Sequence, residues 1–197
     1  MTRIDRRKEI LDAALQLFQK KGLAHVTTRD LAASAGLSRS HIYHYFNDWK
    51  ALRLEAFVYF ASLHFEAVCA PLRDMQPVAA LVAFVQDCLP TSAQPRWALW
   101  LDAWSEAICD EELAHAYLEA NTQWQTILAG IIKRGILIKC FRSISPDRAA
   151  RQIFSVTMGY ANDLLLKPSP ELAKVAIEEV MENACMLLGF SEYKVHI

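Results

Sequence analysis

Residues 27–46 read TTRDLAASAGLSRSHIYHYF. Thr27 and Asp30 stand at capping-box spacing, with Asp in place of the more usual Glu: a hydroxyl for the third amide and a carboxylate that reaches back to the first. A short helix, RDLAASA, therefore follows Thr27 and stops at Gly36, whose missing Cβ permits the tight or left-handed backbone of a turn. Ser38 caps a second short helix, RSHIYHYF. Leu31, Ala32, Ala35, Leu37 and Ile42 are spaced to pack the two helices on each other and on Leu15 and Phe18 upstream. Two short helices joined through Ala35-Gly36-Leu37-Ser38 predict a helix-turn-helix. Arg39, Ser40, His41, His44 and Tyr45 are left on its outer face, and each can donate a hydrogen bond to a phosphate or a base edge. A helix of this kind fits the DNA major groove with its N-terminal residues toward the bases.

Outward from this stretch the pattern stays helical. In residues 5–21, Ile10, Leu11, Ala14, Leu15, Leu17 and Phe18 form an apolar stripe that ends at Gly22. Asn47 or Asp48 caps a long helix beginning near Trp49 and running to Pro71. Pro77 opens a helix over 78–88, and residues 96–108 and about 110–138 read as two more, with Gly130 and Gly135 weakening the end of the second. Ser145-Pro146-Asp147 and Ser169-Pro170-Glu171 share one opening signature: a capping Ser, Pro at the first helical position, then an acid facing the macrodipole. No alternating strand run and no internal repeat is visible. The expected fold class is all-α, with about nine helices: a three-helix unit over residues 1–48 and a larger helical domain over 49–197.

The chain has 197 residues, of which 53% are hydrophobic, so a sizeable core is within reach. No run of about 18 uninterrupted apolar residues predicts a membrane span, and MTRIDRRKEI has no apolar segment behind it to act as a secretory signal. Five scattered cysteines without a C-x-x-C pair are expected to be free thiols in a reducing cytoplasm. The formal net charge of −1 hides an asymmetry: residues 1–50 hold nine Lys/Arg against five Asp/Glu, a net of +4, and the remainder holds −5. A basic head suits a polyanion. His41 and His44 lie three apart on one face, as metal ligands can, but no third ligand is near, so neither a metal nor a cofactor is expected. No nucleophile elbow or comparable catalytic spacing is present, and an enzyme is not expected.

Thr27-Thr28-Arg29-Asp30-Leu31-Ala32, Ala35-Gly36-Leu37-Ser38, Ile42-Tyr43-His44-Tyr45-Phe46 and Lys50-Ala51-Leu52 together resemble the TetR family of bacterial transcription regulators. The resemblance implies that Thr28 and Arg29 lie close to the DNA backbone, and that Ser38, Arg39, Ser40, His41, Tyr43, His44 and Tyr45 lie on or beside a recognition helix. Tyr43 and Tyr45 would hold phosphates, while Arg39, Ser40 and His44 would reach base edges, since backbone contacts position and base contacts specify. Arg3, Arg6 and Arg7 would form an N-terminal arm in or near the minor groove. One position departs from the family pattern: Trp49 stands where a phosphate-binding lysine is usual. Lys50 follows it, turned about 100° around the helix, and which residue supplies the contact stays open here.

The second half carries a weaker likeness. RWALWLDAWSEA, residues 96–107, resembles the choline/betaine-responsive branch of the family. Trp97, Trp100 and Trp104 recur at i, i+3 and i+7, and Tyr117, Asn121 and Trp124 follow on the next helix. With Phe154 and Met158 they are the candidate lining of an effector site, where aromatic faces suit a cation if Asp102, Glu106 or Asp163 points inward. The last two helices hold more apolar positions than one stripe needs, among them Ile153, Phe154, Leu164, Leu172, Val175, Val180 and Leu187, and the family implies pairing across a two-fold axis there. The resemblance thus implies a cytoplasmic homodimer that binds double-stranded DNA at a near-palindromic operator and is released by a small-molecule inducer, with no membrane partner. An activator of the same fold, or a helical small-molecule binder with a degenerate head, are the alternatives.

Overall fold

A computed structural model describes residues 3–191, with the side chain of Arg3 and residues 192–197 outside the described set. Among the described residues there are nine α-helices and no strand. They are α1 (Arg3–Lys21), α2 (Thr28–Ala35), α3 (Arg39–Tyr43), α4 (Trp49–Leu72), α5 (Pro77–Asp87), α6 (Pro95–Ala107), α7 (Glu111–Leu137), α8 (Pro146–Leu166) and α9 (Pro170–Leu188), with one 3-10 turn at Leu23–His25. No described helix is long and apolar enough to cross a membrane.

The termini form where the sequence places stops and caps. The Thr27 hydroxyl accepts from Asp30 N–H while the Asp30 carboxylate accepts from Thr27 N–H, closing the capping box of α2. Gly36 ends α2 at φ 63°, a left-handed conformation that costs a residue with a Cβ about 1–2 kcal/mol. The Ser38 hydroxyl accepts from His41 N–H at 3.1 Å, and Asp48 Oδ1 accepts from Ala51 N–H at 2.7 Å at the head of α4. Ser145 and Ser169 cap α8 and α9, each followed by proline. One helix is shorter than its sequence pattern: α3 ends at Tyr43 and the chain turns through residues 44–48, because Phe46 is drawn into the core beside Ile42 and the chain must redirect into α4.

The chain folds as two compact units, Met1–His64 with Gln94–Ala120, and Phe65–Ala93 with Asn121–Ile197. In the first, Ile10, Ala14, Leu15 and Phe18 of α1 bury against the helix-turn-helix residues Leu31, Ile42 and Phe46. In the second, Leu81, Phe84 and Val85 of α5, Leu128 and Ile132 of α7, Ile153 and Phe154 of α8, and Val180, Met181 and Ala184 of α9 make one continuous core. There the end of α7 closes on itself. Lys139 takes φ 63°, and the amides of Cys140 and Phe141 both donate to the carbonyl of Gly135, at 3.0 and 3.2 Å. The Phe141 ring is thereby laid over Gly135, 4% exposed.

Candidate DNA-reading face and effector site

The outer face of α3 carries polar residues as its spacing requires. Ser38, Arg39, Ser40, His41, Tyr43 and His44 are exposed, and Ile42 is fully buried beneath them. Tyr45 is half-buried: His41 stacks on its ring at 5.7 Å and His44 meets it edge-on at 5.3 Å. The Thr28 and Tyr43 hydroxyls lie 3.0 Å apart, tying the start of α2 to the end of α3. Arg29 is exposed beside them. Behind this face the Lys21 ammonium, 2.7 Å away, and the Thr27 hydroxyl hold the Asp30 carboxyl well below the usual carboxylate range.

Three basic positions, Arg7, Arg6 and Lys50, have acidic partners within the protein. Arg7, read as part of a DNA-facing arm, turns inward and forms a two-pronged ion pair with Glu55 of α4, which raises its pKa. Arg6 pairs with Glu9 on its own helix at 2.8 Å, and the Arg3 side chain lies outside the described residues. Lys50 is exposed, but its ammonium stands 2.8 Å from Glu112 and 3.3 Å from Asp110 at the opening of α7, and Glu112 first, then Asp110, raise its pKa. Trp49 is half-buried and meets Phe18 edge-on at 6.2 Å. The indole that replaces the expected lysine therefore packs the root of α4 onto α1.

The same unit holds an aromatic cluster. Phe57, Phe60 and His64 line one face of α4 at i, i+3, i+7, and Trp97 and Trp100 of α6 and Tyr117 of α7 meet them. Trp100 contacts Phe57 at 5.3 Å, Phe60 at 5.6 Å and Tyr117 at 5.7 Å, and Phe57 stacks on Tyr117 at 6.0 Å. Trp97 stands edge-on to His64 at 6.1 Å, and the Trp100 indole N–H donates to His64 Nδ1 at 3.1 Å. Burial raises the pKa of the Tyr117 phenol. Phe57, Phe60 and His64 were missed from the sequence, although their own helical spacing was a usable signal.

Trp104 shares the register of Trp97 and Trp100 but stands 52% exposed in the last turn of α6, outside this cluster. Of the other residues read as effector lining, Asn121, Trp124, Phe154 and Met158 belong to the second unit. Trp124 packs edge-on against Phe65 and Phe84, Phe154 is buried in the core, and Asn121 and Met158 are half-buried.

None of the three acids considered as an inward charge is placed that way. Asp102 Oδ2 accepts from Leu23 N–H at 2.8 Å, Glu106 pairs with Arg53 of α4, and Asp163 is exposed on α8. These contacts do something else. They fasten α6, which carries Trp97 and Trp100, to the linker between α1 and α2 and to α4, so the aromatic cluster and the helix-turn-helix are mechanically joined inside one unit.

Comparison with known proteins agrees with both halves. Residues 10–56 match the family profile described as bacterial regulatory proteins, tetR family, and residues 77–188 match that of the BetI-type transcriptional repressor, C-terminal. A transcriptional regulator BetI of Agrobacterium fabrum is 30% identical over 149 residues, 74% of this chain and 68% of that protein. A transcriptional repressor KstR2 of Rhodococcus jostii is 28% identical over 142 residues, 70% of this chain and 69% of that one. Among solved structures, a transcriptional regulator from Saccharomonospora viridis in complex with choline superposes with a TM-score of 0.78 at 25% identity, over 90% of this chain and 96% of its own. A TetR regulator from Haloarcula marismortui shares the fold with a TM-score of 0.82 at 19% identity, over 93% and 98% of the two chains. With a helix-turn-helix built on α2 and α3 and a BetI-type helical domain behind it, the chain is a ligand-responsive transcription regulator and belongs to the TetR family.

Proposed function

We propose that the chain is a homodimeric repressor, released from a near-palindromic operator when a small cation carrying methylated nitrogen, of the choline type, occupies the α4–α6–α7 aromatic cluster. The observation that carries this reading is the convergence of Trp97, Trp100, Phe57, Phe60, Tyr117 and His64 on α6, the same helix that Asp102 fastens to the amide of Leu23. Ring faces attract a desolvated cation by about 2 kcal/mol or more each. Since Asp102 and Glu106 are engaged elsewhere, aromatic faces and not carboxylates would supply the attraction. A ligand that fills the cluster displaces α6, strains the Asp102–Leu23 and Arg53–Glu106 contacts and alters the presentation of α3. That is a coupling between two sites, ordinarily about 1–3 kcal/mol.

In this reading Arg39, Ser40 and His44 face base edges, while Thr28, Arg29, Tyr43 and Tyr45 face phosphates. Two such heads on a two-fold axis would meet major grooves about 34–36 Å apart. Dimer formation is assigned to α8 and α9, where Leu166, Leu172, Val175 and Met186 are 81, 50, 48 and 72% exposed on an otherwise well-packed helix pair. Asn121, Trp124, Phe154 and Met158 belong to the second unit, and the site proposed here is confined to the cluster of the first. The chain would work in the cytoplasm, where its DNA is.

The test is a selection of bound fragments from genomic DNA, followed by titration of choline into the complex. Release at micromolar to millimolar choline, with light scattering reporting a dimer, supports the proposal. Tightening by choline makes it an activator or co-repressor system. Absence of salt-dependent DNA binding makes it a small-molecule binder with a degenerate head.

A further inference from the structure

The four contacts of Arg7 converge on the exit of the recognition helix. Its Nε donates to Glu55 Oε1 at 2.6 Å, one Nη pairs with Glu55 Oε2, the other Nη donates to the backbone carbonyl of Tyr45, and the guanidinium lies 4.5 Å from the centroid of the Phe46 ring. α3 is a five-residue helix whose Ser40 and His41 carbonyls accept from the His44 amide and whose Ile42 carbonyl accepts from those of Tyr45 and Phe46, and the chain then leaves the helix with the Tyr45 carbonyl in the turn. The Tyr45 carbonyl takes its donor from α1, and Glu55 of α4 holds that donor in plane. Two helices, α1 and α4, and the turn after α3 are thus joined through one guanidinium, whose fork geometry lysine does not reproduce.

We infer that Arg7 and Glu55 are positioning residues for DNA recognition. Their ion pair sets the angle at which Arg39–His44 meet the groove while touching no DNA itself. This rests on the reading of α3 as the DNA-reading helix. It replaces the role of Arg7 as a groove-seeking arm: a guanidinium with both prongs on a carboxylate and a third donor on a carbonyl is not available to phosphate.

The charge of Glu55 makes the test decisive. Glu55→Gln removes a negative charge from the basic head, so simple electrostatics tightens every duplex. Positioning requires the opposite for the specific site. Fluorescence anisotropy of the full-length protein with its selected operator and with a random duplex of equal length, across a salt series, separates the two. Expected for Glu55→Gln and Arg7→Lys is a loss of about tenfold or more on the operator, a smaller change on random DNA, and an unchanged slope of log affinity against log salt. Arg7→Ala combined with Glu55→Ala should be no worse than Arg7→Ala alone, because the two act as one unit.

Tightening of the operator by Glu55→Gln overturns the inference. So does a slope reduced by about 0.9 in Arg7→Ala, since that is the signature of a lost phosphate contact. Equal losses on both duplexes also overturn it, as they indicate only a smaller folded fraction. Arg39→Ala is the control for the underlying reading: if it changes nothing, α3 does not read DNA, whereas a loss there without one in Glu55→Gln sinks positioning alone.

Discussion

Gly130 and Gly135 sit five residues apart on α7, and the same substitution is expected to move stability in opposite directions at the two. A Cβ on Gly135 would lie 2.0, 2.3 and 2.8 Å from Cδ2, Cε2 and Cγ of Phe141, where ordinary contact is about 3.5–4.0 Å. The ring must retreat by roughly 1.5–2 Å, yet it is nearly fully buried, tilted against Phe190 at 5.1 Å, and held in place by two amides on the Gly135 carbonyl. Overpacking of this kind costs about 1–3 kcal/mol, and outright expulsion of a phenyl ring about 3–5 kcal/mol. The helix-propensity gain of Ala over Gly offsets about 1 kcal/mol. A displacement this large stands at the upper end of the overpacking range, so Gly135→Ala should destabilise by about 2–4 kcal/mol net, a fall in Tm of roughly 4–16 °C for a chain of this size. Around Gly130 nothing stands within 4 Å, so Gly130→Ala keeps only the propensity gain. It should raise Tm by about 2–4 °C. Thermal and urea melts followed by circular dichroism, with Phe141→Leu added to Gly135→Ala as a partial rescue, read this directly. A neutral or stabilising Gly135→Ala would refute the placement of Phe141.

Other consequences follow from named contacts. Asp30 has a depressed pKa in the folded state, so its contribution is fully present above the unfolded carboxylate value near pH 4 and is lost as pH falls through the lower folded value. Asp30→Asn should flatten the acid limb of the stability–pH curve, and an unchanged limb would show that the Lys21–Thr27–Asp30 cluster contributes nothing. Trp100→Phe deletes the donor to His64 Nδ1 while keeping a ring, which should cost about 1–3 kcal/mol by thermal melt and weaken choline binding measured by calorimetry. If Lys50 supplies the phosphate contact, Lys50→Ala should lower the salt slope of operator binding by about 0.9, and Glu112→Gln should tighten binding by freeing the ammonium. A slope unmoved by Lys50→Ala assigns that contact elsewhere.

What the sequence made legible was local. The capping box at Thr27, the turn at Gly36, the cap at Ser38 and the buried Ile42 are each decided within four residues of chain, and all four stand as read. Helix ends marked by Ser-Pro-acid were equally local. What escaped depends on partners far along the chain. Arg7 looked free because Glu55 is 48 residues away, and Asp102 looked available to a cation because Leu23 is 79 residues before it. The α6 tryptophans were visible as a stripe, but periodicity gives a face and not its extent: α6 ends soon after Trp104, which stands half exposed. His64, Phe57 and Phe60 escaped because Trp100, which shows which face of α4 is used, stands 36 residues beyond His64 along the chain.

Trp49 has a practical consequence. The sequence contains five tryptophans, and the other four lie at positions 97 and beyond, so this one alone reports on the three-helix head. It is half-buried, set edge-on to Phe18 at the base of α4, and next to Lys50. Its emission should respond when that root tilts on an operator, while Trp97 and Trp100 respond to the effector. With Trp104 and Trp124 changed to phenylalanine, the protein would carry two intrinsic optical channels, one at each site, and the coupling between inducer and DNA could be followed in time without any attached dye.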